Sequence, residues 1–317
     1  MSKLISVCIP TYNEEKNVVE AVVSIEKLFV EQLPQYDLEL IITDNASVDS
    51  TWKLIKELAE SRQHLKAFRF SRNFGYQNSI FAGLSLSTGD AVIELDADLE
   101  DPPGVIPSFL EKWEEGYEVV YGVRAKRFGN WLTLALTWVF YRVLNYMSEY
   151  EIPKDAGDFR LLDRKVVSAL IEFPERNLYL RGLVAFLGFR QIPVVYDRQP
   201  RVSGGSKFKL FQYVVFAIDA ITAFTKTPLR LIGALGLLLF FGSTLLSLYY
   251  LGIYFLGGIP VPGVATIVIL MVGLHGVSFM FLGTIGEYMS RIFDDSKKRP
   301  RVVIDEAVHY DNPPKFL

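Results

Sequence analysis

The stretch from Leu231 to Gly286 contains no Asp, Glu, Lys or Arg, and this feature most constrains how the chain can fold. It is too long for one core helix, and the turn signal Gly257–Gly263 divides it. The segments on either side, Leu229–Leu256 and Val264–Gly286, each exceed the ~20 residues that span a bilayer. We therefore predict two transmembrane helices, against the alternative of a buried helical hairpin in a soluble protein.

Positive charges on both sides of this stretch predict its orientation. The cations before it are Lys207, Lys209, Lys226 and Arg230, and those after it are Arg291, Lys297, Lys298, Arg299 and Arg301. The turn near 257–263 carries no charge, so the positive-inside rule places both termini in the cytoplasm and the turn outside. No signal-peptide pattern precedes the apolar run Leu4–Ile9. We expect a multi-pass protein of the cell (inner) membrane with a cytoplasmic first domain.

The rest of the chain is typical of an α/β protein. Strand-like and helix-like segments alternate through residues 1 to about 200, which favours a mostly parallel sheet covered by helices. The formal net charge is −3, so no global basic field argues for a nucleic acid partner. The single cysteine, Cys8, excludes an internal disulfide.

Four polar clusters follow predicted strands, where ligands bind in such sheets. They are Pro10–Glu14, Asp44, Ser71–Asn73 and the pair Asp96 and Asp98. If the strand that begins at Ala91 continues through Asp96 and Asp98, both carboxylates lie on one face. Such a pair suits Mg²⁺ or Mn²⁺ holding a diphosphate, whereas the alternative is a solvated acidic turn ended by Pro102 and Pro103.

The segments beside the apolar stretch have their own patterns. Residues 206–228 carry apolar side chains at helical spacing, which predicts amphipathic helices in the membrane interface or, alternatively, a helix packed on the first domain. In the tail 287–317, Arg301–Val308 is typical of a short strand that docks back onto the first domain. His275, inside the second predicted span, is a functional residue or a neutral imidazole bonded to a neighbouring helix.

The motifs, in this order, resemble the membrane-anchored family 2 glycosyltransferases with a GT-A (Rossmann-like) fold. They are Ile9–Glu15, Asp44–Thr51, Ser71–Gly75, Asp96–Pro103 and Gly157–Arg160, followed by Arg201, Gly204 and Ser206–Phe208. The resemblance covers the whole chain and is strongest for polyprenyl-phosphate glycosyltransferases, such as dolichol-phosphate mannose synthases and bactoprenol glucosyltransferases. Asn45 departs from the usual Asp-Asp-Gly-Ser pattern, which puts in doubt any role that needs a carboxylate there.

The resemblance implies a division into a GT-A domain at 1–205, juxtamembrane helices at 206–228, two transmembrane helices at 229–286 and a docking cytoplasmic tail at 287–317. It also implies a nucleotide-sugar site made of Pro10, Tyr12, Glu14, Asp44, Ser71, Asn73, Asp96 and Asp98. Within that site Asp44 would accept a hydrogen bond from a uracil imide, although capping the following helix is an alternative role. Asp96 and Asp98 would hold the ribose and the metal–diphosphate, with Asp98 favoured as the ligand of Mg²⁺ or Mn²⁺.

An acceptor phosphate at the membrane surface would need cations, and arginine complements it with a bidentate fork. The candidates are Arg124, Arg127, Ser206 and Lys207, with Lys126 and Arg142 as weaker members, and Arg201 is a catalytic candidate beside them. Their alternative role is to solvate the surface. Asp158 is often assigned as the base in enzymes of this kind. Because a lipid monophosphate, with a second pKa near ~6, is already largely ionised at neutral pH, we predict that Asp158 orients the acceptor or stabilises positive charge on the sugar.

The sequence therefore predicts an inverting transfer of one sugar, most simply glucose from UDP-glucose, to undecaprenyl phosphate for use in the cell envelope. Galactose, N-acetylated sugars, mannose and an aminoarabinose derivative stay open as the sugar, and UDP is favoured over GDP. One alternative is a non-catalytic membrane scaffold or nucleotide-sugar sensor. Another is a processive polysaccharide synthase, although the chain lacks the Gln-x-x-Arg-Trp motif of those enzymes. The resemblance also implies homo-oligomers, with tetramers as one form.

Overall fold

The computed structural model describes residues 2–125, 156–175, 179–197, 263–297 and 299–310, with isolated residues between 232 and 256 and between 314 and 317. Several predictions of the sequence fall outside these residues. They are the interfacial helices at 206–228, most of the first span, and the candidate residues Lys126, Arg127, Arg142, Arg201, Ser206 and Lys207.

Strands and helices alternate through the described part of the first domain, as predicted. The strands are β1 (Lys3–Thr11), β2 (Tyr36–Asp44), β3 (Leu65–Phe70), β4 (Ala91–Glu94), β5 (Val119–Arg124), β6 (Ala156–Asp163), β7 (Gln191–Tyr196) and β8 (Ile304–Val308). The helices are α1 (Val18–Gln32), α2 (Thr51–Glu60), α3 (Tyr76–Leu86), α4 (Ile106–Glu114), α5 (Arg164–Ile171), α6 (Leu180–Phe186) and α7 (Val264–Ser296), and a 3₁₀ turn spans Pro103–Val105.

The described strands form one sheet in the order β7-β5-β6-β4-β1-β2-β3-β8. The central strands β4, β1, β2 and β3 pair in parallel, as do β5 and β7. In contrast, β6 runs antiparallel to both β4 and β5, and β8 runs antiparallel to β3. The sheet is therefore mixed, with the predicted parallel arrangement at its centre.

Two hydrophobic cores cover the two faces of the sheet. Along β1, Ile5, Val7 and Ile9 pack on one face with α1, α2 and α4, while Cys8 packs on the other face with α3, α5 and α6. Both faces of β1 are buried, which explains why its residues from Leu4 to Ile9 are apolar apart from Ser6, whose buried hydroxyl donates to Glu39. Burial, followed by the charges of Glu39 and Glu94, raises the pKa of the Cys8 thiol well above its ordinary value. Cys8 is therefore an inert packing residue.

The long helix α7 begins at Val264 and continues past Gly286, the predicted end of the second span. Among the residues that the structure describes, no helix has the length and apolarity that a membrane crossing requires. Within α7, Nδ1 of His275 lies 2.7 Å from the carbonyl oxygen of Met271, so this contact is made inside its own helix and not to a neighbouring helix.

The strand β8 follows α7 and lies within Arg301–Val308, the segment for which docking was expected. It pairs with β3 at the edge of the sheet. Just before β8, the carbonyl oxygen of Val303 accepts a hydrogen bond of 3.0 Å from the backbone nitrogen of Ser71. The tail therefore lies beside the polar cluster that follows β3.

Candidate active site

The carboxyl ends of β4, β1 and β2 meet at one edge of the sheet. In the β1–β2 ladder Thr11 lies opposite Asp44, and in the β1–β4 ladder Cys8 lies opposite Glu94. The strand β4 ends at Glu94, so Asp96 and Asp98 lie in the turn beyond it. The expectation that one continuous strand aligns both carboxylates is therefore wrong, because the chain turns, and Leu99 adopts a positive φ of 56°.

Tertiary structure nevertheless brings several predicted residues together. Pro10, Tyr76, Glu94, Asp96 and Asp158 line one small pocket, together with Ile80 and Leu95. Because β6 is antiparallel to β4 and Arg160 lies opposite Glu94, the early β6 residue Asp158 lies beside the turn that follows β4. The half-buried Asp98 belongs to that turn, where its Oδ1 accepts a 3.1 Å hydrogen bond from the backbone nitrogen of Glu100.

The Asp158 carboxylate is held by arginines. Nε of Arg181 donates to Oδ1 at 2.8 Å, and Nη2 donates to Oδ2 at 2.7 Å. Nη2 of Arg160 lies 3.4 Å from Oδ1. Burial alone would raise the pKa of Asp158, but the charge of Arg181, with its hydrogen bonds and the charge of Arg160, outweighs burial and lowers that pKa. Asp158 is therefore an ionised group at neutral pH and a weak base.

For Glu94 and Asp96, burial outweighs the favourable contacts, and the pKa of each carboxyl is raised. Burial raises the pKa of Glu94 to about 8, although Arg160 lies 3.4 Å from its Oε2. Burial, with added repulsion from Asp158, Asp98 and Asp101, raises the pKa of Asp96 to about 7. Neither carboxylate oxygen of Glu94 has a hydrogen-bond partner among the described residues. The three carboxyl groups of Glu94, Asp96 and Asp158 therefore share two arginines, and a bound cation would favour the ionised forms of Glu94 and Asp96.

That charge balance fits a divalent cation. Within the described ranges, no three or more His, Cys, Asp or Glu side chains form a ligand group. Mg²⁺ is commonly held by one or two carboxylates, with substrate oxygens and water completing its shell. The half-buried oxygens of Asp96 and Asp98 suit such an ion in their chemistry.

Asp44 is fully buried and orders the loop that follows β2. Its Oδ2 accepts a 3.2 Å hydrogen bond from the backbone nitrogen of Ser47, whose hydroxyl donates to Oδ1. The helix α2 begins at Thr51, where Asp49 accepts the backbone hydrogen bond at 3.0 Å. The alternative that Asp44 caps this helix is therefore wrong, while its contact with a uracil stays a prediction.

The loops that follow β1 and β2 are joined by hydrogen bonds. Asn13, with a positive φ of 57°, donates its backbone N–H to the Ser47 hydroxyl at 2.9 Å and accepts one from the Val48 backbone at 2.9 Å. Beside it, Tyr12 is 40% exposed and offers an accessible aromatic face. Oε2 of Glu14 accepts a 2.7 Å hydrogen bond from the Asn17 amide. Tyr12 and Glu14 therefore lie at the predicted edge, on a loop of defined shape.

The Ser71–Asn73 cluster is exposed at the end of β3. The side-chain oxygen of Asn73 accepts a 2.8 Å hydrogen bond from Gly75, whose φ of 92° permits the turn into α3. Asn45, which departs from the family's usual Asp-Asp-Gly-Ser pattern, has a structural role. Its side-chain oxygen accepts a 2.8 Å hydrogen bond from the backbone nitrogen of Phe74. An amide at this position therefore joins the loop after β2 to the loop after β3.

Arg124, a candidate phosphate ligand, is anchored by the acidic motif itself. Its Nε and Nη2 donate to the two oxygens of the buried Asp101, at 3.3 and 3.0 Å. The Tyr196 hydroxyl donates to the same carboxylate at 2.5 Å. The guanidinium of Arg124 is therefore bound directly to the Asp96–Pro103 motif, through Asp101.

Sequence reasoning missed several residues of this site: Tyr76, Glu94, Asp101, Arg181 and Tyr196. Asp101 lies inside a recognised motif, and Glu94 lies two residues before Asp96, the spacing at which strand side chains share a face. Both could therefore have been found. Tyr76 directly follows the recognised motif Ser71–Gly75, so it could have been found as well. Arg181 and Tyr196 reach the site from elements distant in sequence, and their local sequence carries no indication of it.

Comparison with known proteins decides the family. Residues 6–171, more than half of the chain, match the profile described as "Glycosyl transferase family 2". The chain belongs to glycosyl transferase family 2. It is a glycosyltransferase with an α/β, Rossmann-like GT-A fold and a mixed sheet.

Relatives of this glycosyltransferase match it along almost its whole length. It is 38% identical over 312 residues to an uncharacterized glycosyltransferase of Synechocystis sp., covering 95% of each protein. It is 35% identical over 302 residues to a bactoprenol glucosyl transferase of Shigella phage SfX, covering 95% of this chain and 98% of that protein. A solved structure of glucosyl-3-phosphoglycerate synthase from Mycobacterium tuberculosis, with Mn²⁺, UDP-glucose and phosphoglyceric acid, gives a TM-score of 0.47 at 19% identity, over 69% of this chain and 78% of that one.

Proposed function

We propose that this glycosyltransferase moves one sugar, with glucose as the first candidate, from a UDP-linked donor to a polyprenyl phosphate such as undecaprenyl phosphate. The observation that carries the proposal is the similarity to a bactoprenol glucosyl transferase, at 35% identity over 95% of this chain. The polar edge of the sheet supports it, because Asp96 and Asp158 share one pocket there.

On the donor side, the exposed face of Tyr12 would receive the base, with Pro10, Glu14 and Asp44 around the nucleoside. Ser71 and Asn73 complete this part of the site in the proposal. Asp96 and Asp98 would hold Mg²⁺ or Mn²⁺, and this ion, when bound, offsets charge on the departing diphosphate. Tyr76 orients Asp96 through its 2.7 Å hydrogen bond.

On the acceptor side, the nucleophile is an oxygen of the lipid phosphate. It forms a bond to the anomeric carbon while the bond from that carbon to the nucleoside diphosphate breaks, which inverts the configuration. The acceptor needs no base because its second pKa is about 6. The low pKa of Asp158, bound to Arg181, agrees with a charge-stabilising role and not with proton removal. The anchored guanidinium of Arg124 suits the acceptor phosphate.

The proposal keeps the predicted membrane arrangement. The support is the uncharged stretch from Leu231 to Gly286 and the cations on both sides of it. Two spanning helices within 229–286 and interfacial helices at 206–228 would hold the site at the cytoplasmic face of the cell membrane, where Arg127, Arg201, Ser206 and Lys207 would meet the lipid phosphate. Homo-oligomers are part of the same proposal.

Sugar transfer tests the proposal directly. Purified full-length chain in detergent is given undecaprenyl phosphate and a panel of radiolabelled UDP- and GDP-sugars, with Mg²⁺, Mn²⁺ or EDTA. We expect lipid labelling from one donor, its loss in EDTA and in Asp98→Asn, and its retention in Asp305→Asn, which removes an exposed carboxylate of β8.

Two other results point to the alternatives. Retained UDP binding by calorimetry with no labelling from any donor would favour a scaffold or nucleotide-sugar sensor. Lipid products that carry several sugars would favour a processive synthase.

A further inference from the structure

Arg181 lies outside every motif that predicts the site, yet it makes the most complete contact with Asp158. One planar guanidinium binds both carboxylate oxygens, at 2.8 and 2.7 Å. The side chains of Arg181 and Asp158 are only 25% and 14% exposed, so water screens their attraction incompletely. A lysine at this position would keep the charge but lose the two-point geometry.

The short helix α6 holds Arg181 through its own packing. Leu180, Leu183 and Val184 are buried in the core that α6 shares with α3. The backbone nitrogen of Leu180 donates a 3.1 Å hydrogen bond to the side chain of Gln77 in α3. Gln77 is next to Tyr76, whose hydroxyl binds Asp96. The Leu180–Gln77 hydrogen bond therefore links the segment that carries Arg181 to the segment that carries Tyr76. The position of Arg181 is set by tertiary packing.

Arg160 is a poorer partner for Asp158. Its Nη2 lies 3.4 Å from Oδ1 of Asp158, while its Nε lies 3.4 Å from Oε2 of Glu94. Arg160 thus divides its charge between two buried carboxylates. Loss of Arg181 would leave Asp158 with this shared charge and with the charge of Arg124, which is itself paired with Asp101.

We propose that Arg181 is a positioning residue, which holds Asp158 as an oriented carboxylate in the pocket where donor and acceptor meet. The inference rests on the proposed function, and it assigns a role to α6, which lies beyond the matched family segment at 6–171. Without Arg181, the carboxylate loses its two-point contact and keeps the longer 3.4 Å contact with Arg160, and burial opposes its ionisation.

The charged and titratable groups around Asp158 come from every neighbouring element. They are Arg160 of β6, Arg124 of β5, Glu94 and Asp96 at the end of β4, Tyr76 of α3 and Arg181 of α6. A pH profile of one variant therefore reports on several groups, and comparison between matched variants isolates the contribution of Asp158.

Two substitutions separate charge from geometry. Arg181→Lys keeps the charge, and Arg181→Met removes both charge and geometry. We expect turnover at saturating substrates to fall about tenfold for Arg181→Lys and about a hundredfold for Arg181→Met, with donor KM changed less than about threefold. The matched control is Arg62→Met, because Arg62 binds Glu26 at 2.7 Å with side chains 24% and 21% exposed, away from the pocket.

The pH profile gives a readout that a purely structural pair would not change. In Arg181→Met the pKa of Asp158 rises, so turnover falls as the pH drops through that higher value. This acidic decline is expected to be absent from the residual turnover of the double variant with Asp158→Asn, because an asparagine at position 158 cannot titrate. Equal losses in Arg181→Met and Arg62→Met, or a loss confined to donor KM or thermal stability, would overturn the inference.

The proposed function and this inference fail in different ways. Wild-type protein that transfers no sugar refutes the proposed function. The ¹³C signal of the Asp158 carboxyl, identified by its loss in Asp158→Asn, then decides the inference without any turnover. A titration midpoint that rises in Arg181→Met supports it, and an unchanged midpoint refutes it.

Discussion

The hydroxyl of Tyr76 donates a 2.7 Å hydrogen bond to Oδ1 of Asp96, which joins the first residue of α3 to the acidic turn after β4. Burial raises the pKa of Asp96 to about 7, and this hydrogen bond acts against that rise. Since a metal ligand must be deprotonated, the Tyr76 hydroxyl favours the form of Asp96 that binds a cation.

The variant Tyr76→Phe is expected to need more Mg²⁺ or Mn²⁺ for half-maximal activity, by about three- to tenfold at pH 7, because one hydrogen bond to a charged group is lost. Initial rates against metal concentration measure this shift. The matched control is Tyr36→Phe, which removes a hydroxyl 3.1 Å from a carboxylate oxygen of Glu114, outside the pocket. An identical metal requirement in wild type and Tyr76→Phe would contradict the prediction.

The sequence predicts the part of the fold that local pattern controls. The alternation of elements predicts the parallel centre of the sheet, and the polar cluster after each strand predicts the edge where Pro10 and Asp96 meet. Asp158, which lines the same pocket, was predicted only through the motif Gly157–Arg160 of the family resemblance. The antiparallel direction of β6 was not predictable, because it depends on pairing with β4 across a long connection. For the same reason Arg181 was missed, since only the packing of α6 brings it to Asp158.

The acidic turn shows a second limit of sequence reasoning. Alternation placed Asp96 and Asp98 on one face of a strand, whereas the strand ends at Glu94 and Leu99 takes a positive φ. A backbone conformation of this kind is unusual for leucine, so no turn residue indicated it. The presence of two carboxylates at this edge was predicted from residue type, whereas their relative positions depend on the turn after β4.

A glycine between α3 and β4 lies against the backbone of β1. A Cβ at Gly89 would lie 2.7 Å from both the Leu4 oxygen and the Ser6 nitrogen, and 2.6 Å from the Ser6 hydroxyl. Because backbone atoms of a central strand cannot move aside, Gly89→Ala should lower the free energy of unfolding by about 1–3 kcal/mol. Urea unfolding in detergent measures it, with Gly104→Ala as the control, since a Cβ there meets nothing within 4 Å. Equal stability of the two variants would disprove this account.

Glu39 gives a prediction about pH. Its buried carboxylate accepts hydrogen bonds from Lys66 at 2.6 Å and from the Thr88 hydroxyl and backbone at 2.6 and 2.8 Å, and also from the Ser6 hydroxyl. Burial would raise the pKa of Glu39, but these hydrogen bonds outweigh burial and lower it. The stabilisation is therefore present above the unfolded pKa of about 4.3, and it is lost as the pH falls through the lower folded value.

Glu39→Gln should accordingly lower the free energy of unfolding at pH 7 by about 2–3 kcal/mol, since it removes charge-assisted hydrogen bonds in a buried network. The difference from wild type should shrink below about pH 4. Urea unfolding at several pH values checks both points. Glu57→Gln is the control, because Glu57 faces Lys53 at 3.9 Å on the exposed side of α2. A destabilisation that does not vary with pH would count against the ionised network.

The contacts among Asp101, Arg124 and Tyr196 predict that a change at Asp101 alters KM for the acceptor and leaves KM for the donor nearly unchanged. Asp101→Asn replaces one carboxylate oxygen by an amide that cannot accept from the guanidinium, so Arg124 loses its two-point anchor. We expect KM for undecaprenyl phosphate to rise about tenfold, from the loss of one charge-assisted contact, while KM for the nucleotide sugar stays within about twofold. Steady-state kinetics with each substrate varied in turn gives both values.

Tyr196→Phe tests whether the effect passes through Arg124. It removes the 2.5 Å hydrogen bond to Asp101 but leaves the ion pair in place, so its effect on acceptor KM should be smaller, about two- to threefold. Asp305→Asn, on the exposed side of β8, should leave both constants unchanged. If Asp101→Asn raised donor KM and left acceptor KM alone, Arg124 would belong to the donor phosphate subsite, and the acceptor phosphate would need other cations.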